Sequence, residues 1–384
     1  LSQPEAARQR ILIVTRNLPP LVGGMERLNW HMADELSRYA DVHVVGPAES
    51  ESQKPANVGF SPAPLRPLWR FLLQAGWQTI RQARKWKPDV ILAGSGLTAP
   101  IALIAARLCG AKAVAYVHGL DISVNHPVYR WLWLPAIRRL DRVIANSNPT
   151  RELALEAGIQ SQHIGIVYPG VSLPGEPQQP SNFREKYGLG DGPILLSVGR
   201  LTTRKGLLEF IRGSLPAIAS QFPAVMLAVV GDTPNDSLHA TAQSKESLLA
   251  EATALGLGDN IRFIGVLHGE PLSDAYRSST VHVFPIRKIS GDPEGFGMVA
   301  IEAAILGLPT VAFATGGVVD AVEDGASGFL ASENNYAQFS AKTLELLHQP
   351  KKLKASSIEF AKKFSWENFG TKIYTQTNYA PTTE

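Results

Sequence analysis

Residues 173–206 read LPGEPQQPSNFREKYGLGDGPILLSVGRLTTRKG, and two compositions meet inside them. From Leu173 to Pro193 the chain carries Pro174, Pro177, Pro180 and Pro193 together with Gly175, Gly188, Gly190 and Gly192. That is linker composition, because neither residue suits the interior of a helix or strand. At Ile194 it changes to a short apolar run, Ile194–Val198, followed by a glycine, a polar loop and a new helical pattern. Apolar runs of this length, bounded by turn residues, read as strands buried on both faces. A boundary therefore falls near the middle of 384 residues, and a strand–loop–helix unit restarts after it. Length alone sets the same expectation, at about 100–200 residues per domain.

The same alternation runs outward in both directions. Before the boundary the strands are Ile11–Thr15, Val42–Gly46, Val90–Ala93, Ala113–Val117, Arg142–Ala145 and Gly165–Tyr168. After it they are Ile194–Val198, Val225–Val230, Ile261–Ile264, Val281–Phe284 and Thr310–Phe313. Met25, Leu28, Met32 and Leu36 step by helical intervals, and Pro149 suits the start of a helix after Asn148. The expected class is α/β, with two doubly wound Rossmann-like domains facing a cleft. The expected division is 1–172, a linker at 173–193, 194–365, and a C-terminal segment 366–384 crossing back to the first domain. Ligands in such sheets collect at the carboxyl ends of the strands. Two domains about a cleft suit a reaction between two substrates, one held by each half.

Composition removes several classes. With 45% hydrophobic and 18% charged residues, the chain can build sizeable cores and is not disordered. The single cysteine, Cys109, excludes a disulfide framework and a multi-cysteine zinc site. No uncharged run reads as a membrane span. Leu1–Arg10 is polar and lacks the apolar core of a signal peptide; the chain starts at Leu, which leaves a removed leader open. Residues 1–172 hold 19 Lys and Arg against 12 Asp and Glu, a net +7, whereas the remainder holds 18 against 22, a net −4. The basic excess concentrates in Leu65–Lys87, which holds Arg66, Arg70, Arg81, Arg84, Lys85 and Lys87 with no acid, beside Trp69, Trp77 and Trp86. Such a helix suits an anionic membrane surface; the plain alternative is a surface helix packing its apolar stripe on its own sheet. Nucleic acid is not an expected partner, since no binding motif accompanies the charge.

Four places can carry chemistry. Gly23-Gly24-Met25-Glu26 opens a helix after the first strand, where unpaired N–H groups and about half a positive charge favour an anion. Arg200 and Lys205 flank the loop after Ile194–Val198 and could clamp a diphosphate, one as a planar fork and one as a compact charge. Glu294 and Glu302 stand eight residues apart in Asp292-Pro293-Glu294-Gly295-Phe296-Gly297-Met298-Val299-Ala300-Ile301-Glu302, the first in a glycine-bearing loop that Pro293 and Gly295 keep off the helix and the second on the helix that follows. A carboxylate with two acceptor oxygens suits a vicinal diol. Glu302 lies among Val299, Ala300, Ile301, Ala303 and Ala304, so it needs a partner wherever it is buried. His118 ends the strand Ala113–Val117, a common catalytic position, although a lone histidine is more often structural; His268 carries less signal. No Asp-x-Asp occurs and the histidines form no ligand spacing, so no metal is expected.

Taken together these residues resemble the retaining glycosyltransferases of family 4, with the GT-B fold, over roughly Ile11 to Leu347. The resemblance rests on Gly23-Gly24-Met25-Glu26, Val117-His118-Gly119-Leu120-Asp121, Val198-Gly199-Arg200…Lys205-Gly206, Glu294…Glu302, Ala303–Val311, and Gly316-Gly317…Gly328-Phe329-Leu330. Tyr168-Pro169-Gly170-Val171 departs from the family's Pro-Asn-Gly-Val. The resemblance implies a hexose-type sugar moved from a nucleotide diphosphate sugar to a glycan or lipid-linked acceptor in cell-envelope polysaccharide or glycolipid synthesis, without a cofactor. It implies that Arg200 and Lys205 bind the diphosphate and Glu302 the ribose. Glu294 and the backbone of Phe296 and Gly297 would hold the transferred sugar, with Met298 and Val299 beside them. Gly23 and Gly24 would lie near the diphosphate, His118 near the reacting carbon and Asp121 toward the acceptor. The expected location is cytoplasmic, peripheral on the inner membrane through Leu65–Lys87.

Three rivals stand beside this reading. Gly94-Ser95-Gly96-Leu97-Thr98-Ala99 matches G-x-G-x-x-A, a dinucleotide fingerprint that would make an NAD(P)-dependent oxidoreductase. The same fold could serve a sugar-nucleotide epimerase. A non-catalytic sugar- or membrane-binding protein is the third, against which Arg200, Lys205, Glu294 and Glu302 are all intact.

Overall fold

The computed structural model of the chain describes residues 8–175, 181–233 and 243–379. The chain forms two compact units, Leu1–Gly170 with Trp366–Glu384, and Val171–Ser365. In unit 1 the strands are β1 (Arg10–Val14), β2 (Asp41–Pro47), β3 (Val58–Ala63), β4 (Val90–Ala93), β5 (Lys112–Val117), β6 (Arg142–Ala145) and β7 (Ile164–Ile166). They form one parallel sheet in the order β3-β2-β1-β4-β5-β6-β7. Unit 2 holds β8 (Ile194–Val198), β9 (Met226–Val230), β10 (Ile261–Gly265), β11 (Val281–Phe284), β12 (Thr310–Phe313) and β13 (Gly328–Ala331), parallel in the order β10-β9-β8-β11-β12-β13. Each order reverses beside the unit's first strand, between β1 and β4 and between β8 and β11.

Burial explains the strand sequences. Ile11 lies beside Val42 on one side and Val90 on the other, and Ile11–Val14 are wholly buried. A strand paired on both edges and covered on both faces has no position for a polar side chain. Two strands, both at sheet edges, escaped the apolar-run reading because glycine, serine or proline interrupts or shortens them. β3 contains Gly59, Ser61 and Pro62, and an edge tolerates the proline because one row of its N–H groups faces no neighbour. β13 has four residues and opens with Gly328.

Residues 181–193 belong to unit 2 and are not a plain linker. Phe183, on the short helix Phe183–Lys186, and Leu189 pack into the core with Ile194, Leu196 and Tyr276. Burying a large apolar side chain stabilises by about 1.5–3 kcal/mol, enough to dock a glycine-rich segment. Residues 176–180 of the expected linker lie outside the described residues.

The helix Trp366–Asn378 is part of unit 1 and packs on the helix Gly24–Ser37. Trp366 stacks on His31 with ring centroids 4.0 Å apart, and Phe369 meets Trp366 and Tyr116 edge-on. Burial, then the Arg27 and Arg38 charges, push His31 down to about 4, so the stacked ring is neutral at physiological pH. Arg142 donates from Nε to Gln376 Oε1 at 2.8 Å and lies over the Tyr379 ring. Among the described residues no helix is long and apolar enough to cross a membrane.

Trp366→Ala removes a buried aromatic from this junction. The expected loss is about 3–5 kcal/mol of unit 1 stability, read as a lower urea midpoint for the unfolding of that unit.

Candidate functional site

The loops that leave β8 and β11 emerge from neighbouring strands on either side of the reversal in unit 2. That is where doubly wound sheets take ligands. The β8 loop carries Gly199 and Arg200, then a tight turn, Thr203–Lys205, before the helix Leu207–Gly213. The β11 loop carries Asp292 and Glu294 and ends at Gly297, which starts the helix Met298–Ile305. Gly297 sits at φ 93°, and a Cβ there would press on the Phe284 ring at 2.9 Å, so both conformation and space ask for glycine.

The two loops are joined by charge. Lys205 Nζ donates to Glu294 Oε2 at 2.8 Å, and Arg204 pairs with the same oxygen while its Nε lies 3.2 Å from Asp292 Oδ2. The Arg287 N–H donates to the Arg204 carbonyl at 2.8 Å, and the Gly317 N–H to the Glu294 carbonyl at 2.9 Å. Lys205 Nζ also stands 4.7 Å from the centre of the Phe284 ring. Arg200 is exposed and shares a small hollow with Lys205, Gly199, Ser197 and Phe284.

Burial opposes the Glu294 carboxylate, but the Arg204 and Lys205 charges overcome it and hold its pKa down at about 2. Burial also pushes the Lys205 ammonium below the usual lysine range; Arg204 and Arg200 add to that, and Glu294 pulls the other way. An anion arriving at Lys205 therefore competes with Glu294 for a desolvated ammonium, where charge interactions are strong.

Glu302 has the partner that burial demands: its Oε2 accepts from the Tyr276 hydroxyl at 3.2 Å. It lies on the fifth residue of the helix Met298–Ile305 and is half-buried. Phe296 is buried against Phe364, with centroids 5.7 Å apart, so its side chain anchors the loop. Met298 and Val299 open the helix, where the first N–H groups have no intrahelical acceptor. The structure thus links Arg200, Lys205 and Glu294 through the hollow and the ion pair, and seats Glu302 on the helix that follows.

In unit 1, His118 is buried after β5, with Nε2 3.2 Å from the Gly94 carbonyl. A carbonyl only accepts, so Nε2 carries the proton and Nδ1 offers a lone pair in the neutral ring. Asp121 Oδ2 accepts from the His118 backbone N–H at 3.0 Å, so this carboxylate shapes the turn that holds His118. Gly23 and Gly24 are exposed at the start of the helix Gly24–Ser37, where Asn17 Nδ2 holds Glu26 Oε1 at 2.8 Å. The Gly94-x-Gly96 loop is filled by the protein itself. A Cβ on Gly94 would run into Asn29 and Thr15, and one on Gly96 into Asp121 and Tyr129. Those glycines serve packing, which removes the basis of the dinucleotide reading.

Arg204 and Tyr276 were not singled out from the sequence, and Asp292, which opens the motif that ends at Glu302, was given no role there. For Arg204 a signal was there: a carboxylate in a glycine-bearing loop needs cations, and Lys205 has a second one beside it. Glu294 gives a pH signature. A carboxylate held below its ordinary 4.5 contributes stability above that value and loses it as pH falls toward about 2. Glu294→Gln should lower the urea midpoint at neutral pH, since Lys205 loses its carboxylate and Arg204 keeps only Asp292, and should flatten the further decline on acidification through that window.

The model for Glycosyl transferases group 1 matches residues 180–364, and that for Glycosyltransferase Family 4 matches residues 22–173. A GDP-mannose-dependent alpha-(1-6)-phosphatidylinositol monomannoside mannosyltransferase of Mycolicibacterium smegmatis is 29% identical, over 91% of this chain and 92% of its own. A D-inositol 3-phosphate glycosyltransferase of Frankia alni is 31% identical, over 72% of this chain and 71% of its own. Among solved structures, Anabaena HepE in complex with UDP-glucose is similar with a TM-score of 0.77 and 21% identity, covering 96% of this chain and 99% of that one. WaaG, a glycosyltransferase involved in lipopolysaccharide biosynthesis, is similar with a TM-score of 0.68 and 16% identity, covering 96% and 100%. The structural likeness shows the fold, the sequence likeness shows the kinship, and by both this chain belongs to the GT-B glycosyltransferases of the family 4 type.

Proposed function

We propose that the protein transfers a hexose-type sugar, with retention of configuration, from a nucleotide diphosphate sugar to a glycan or lipid-linked acceptor of the cell envelope, working in the cytoplasm at the inner membrane face. The observation that carries this reading is the junction of Lys205 with Glu294 beside Arg200, at the reversal of the second sheet. The relatives add direction, since their names describe transfer from GDP-mannose and transfer involving an inositol phosphate.

Cleaving the sugar–phosphate bond builds positive charge on the anomeric carbon and negative charge on the departing diphosphate. In this reading Arg200 and Lys205 meet the negative charge, with no metal called for, and cations already in place need no reorganisation at the moment of reaction. Diphosphate binding draws Lys205 from Glu294, and the released carboxylate accepts from hydroxyls of the transferred sugar. Glu302 accepts from the ribose hydroxyls, and the N–H groups at the start of the helix Met298–Ile305 face the donor. In this reading His118 of unit 1 acts on the transferred sugar, with its Nδ1 lone pair as the acceptor. For retention by same-face attack, the acceptor oxygen bonds to the anomeric carbon as the bond to the diphosphate breaks. The acceptor proton passes to the departing phosphate oxygen.

A panel of nucleotide sugars tests the donor. The preferred one, at about 100 times its dissociation constant, should add about 2.7 kcal/mol of apparent stability. Glu302→Ala should erase that response. No response to any nucleotide sugar would sink the proposal. Arg200 is exposed, so Arg200→Ala should leave the melting temperature nearly unchanged while lowering turnover about 100- to 1,000-fold, as loss of one charge-stabilising group does.

A further inference from the structure

The basic helix of unit 1 has two apolar stripes, and only one is used by the fold. In the helix Leu68–Trp86, Phe71, Ala75, Thr79 and Ala83 recur every four residues and are buried against the sheet and the neighbouring helix. Trp69, Leu73 and Trp77 also recur every four residues, yet are 55–68% exposed. At about 100° per residue the second stripe lies opposite the first, together with Arg70, Arg81 and Arg84.

The stripe continues onto neighbouring elements. The helix Ala99–Cys109 packs alongside, with Ile101 against Gly76, and leaves Ile104 and Leu108 more than half exposed. The turn Tyr129–Trp133 packs on that helix in turn. There Tyr129 and Trp133 stack on each other, and the Trp133 indole donates to the Leu97 carbonyl at 2.8 Å, while Trp131 is 76% exposed. No acid stands in Leu65–Lys87, Ala99–Cys109 or Tyr129–Trp133, and Arg107 and Arg130 add to the basic set. Arg81 lies over the Trp77 ring at 5.3 Å, and Trp77, Ile80, Arg81, Arg84 and Lys85 line an open hollow.

Isolated exposed apolar residues need no explanation, but a contiguous set of tryptophans and aliphatics framed by arginine does. We infer that this three-element face of unit 1 is a docking surface for an anionic lipid bilayer. Trp69, Leu73, Trp77, Ile104, Leu108 and Trp131 enter the headgroup region, and the arginines pair with lipid phosphates. The charge selects the occupant: aromatic rings suit the interface, and a surface with no acid is complementary to an anionic leaflet. The inference deepens the lipid-linked acceptor reading. It is tested without donor or acceptor, so its failure and the failure of sugar transfer are separate results.

The full chain is sedimented with vesicles of phosphatidylcholine alone or with about one third phosphatidylglycerol, at low and high salt. The expected result is binding to the phosphatidylglycerol vesicles at least about tenfold stronger than to phosphatidylcholine, weakening with salt. The variant W69S/W77S/W131S, altered only at exposed positions, should bind about tenfold less while unfolding at the wild-type temperature. R70E/R81E/R84E should lose the preference for phosphatidylglycerol. Absence of binding at low salt overturns the inference. Unchanged binding by the tryptophan variant also overturns it, leaving charge alone. So does a dimer in solution that the tryptophan variant dissolves without vesicle binding by either form.

Discussion

A carboxylate held between two cations joins the loops that leave β8 and β11 in the second unit. Glu294 reaches its partners across the line between β8 and β11, so its ion pair exists only if both strands stand side by side in register. Removing Glu294 leaves the Lys205 ammonium without its carboxylate and Arg204 with Asp292 alone, so the contact between the loops is weakened. The arrangement therefore fixes the loops relative to one another before any substrate arrives. Arg204 also reaches Asp292, so the cluster ties the β8 loop to two carboxylates of the β11 loop.

The neighbouring elements serve that cluster in different ways. Phe284 gives Lys205 an aromatic face, and Phe296 is sunk against Phe364, so the glycine-bearing loop is pinned by an aromatic contact. In unit 1, Asp121 spends its carboxylate on the His118 backbone, and the Gly94 carbonyl selects the His118 tautomer. Residues with catalytic-looking side chains thus divide into those offered outward and those consumed in positioning others.

Much of this was legible in the chain, for definite reasons. Strands buried on both faces must be continuous apolar runs, and the central strands of both sheets read so; β3 and β13 did not, because Pro62 with Ser61 breaks the one run and Gly328 shortens the other. That Glu302 would need a partner followed from the apolar residues around it. That the partner is Tyr276 could not follow, because it lies 26 positions back in the chain on a separate helix. Arg204 stayed hidden because adjacent residues usually diverge, whereas here it and Lys205 meet the same oxygen. The linker reading stretched too far because composition weighs every glycine equally, while packing turns on Phe183 and Leu189.

The return of the helix Trp366–Asn378 to unit 1 has a consequence for synthesis. The ribosome completes the whole of Val171–Ser365 before it makes the aromatic residues that finish the core around His31 and Tyr116. Domains generally fold as units in the order they emerge. Here the domain begun first is closed last, and until the helix Trp366–Asn378 emerges the helix Gly24–Ser37 lacks the neighbour it packs on.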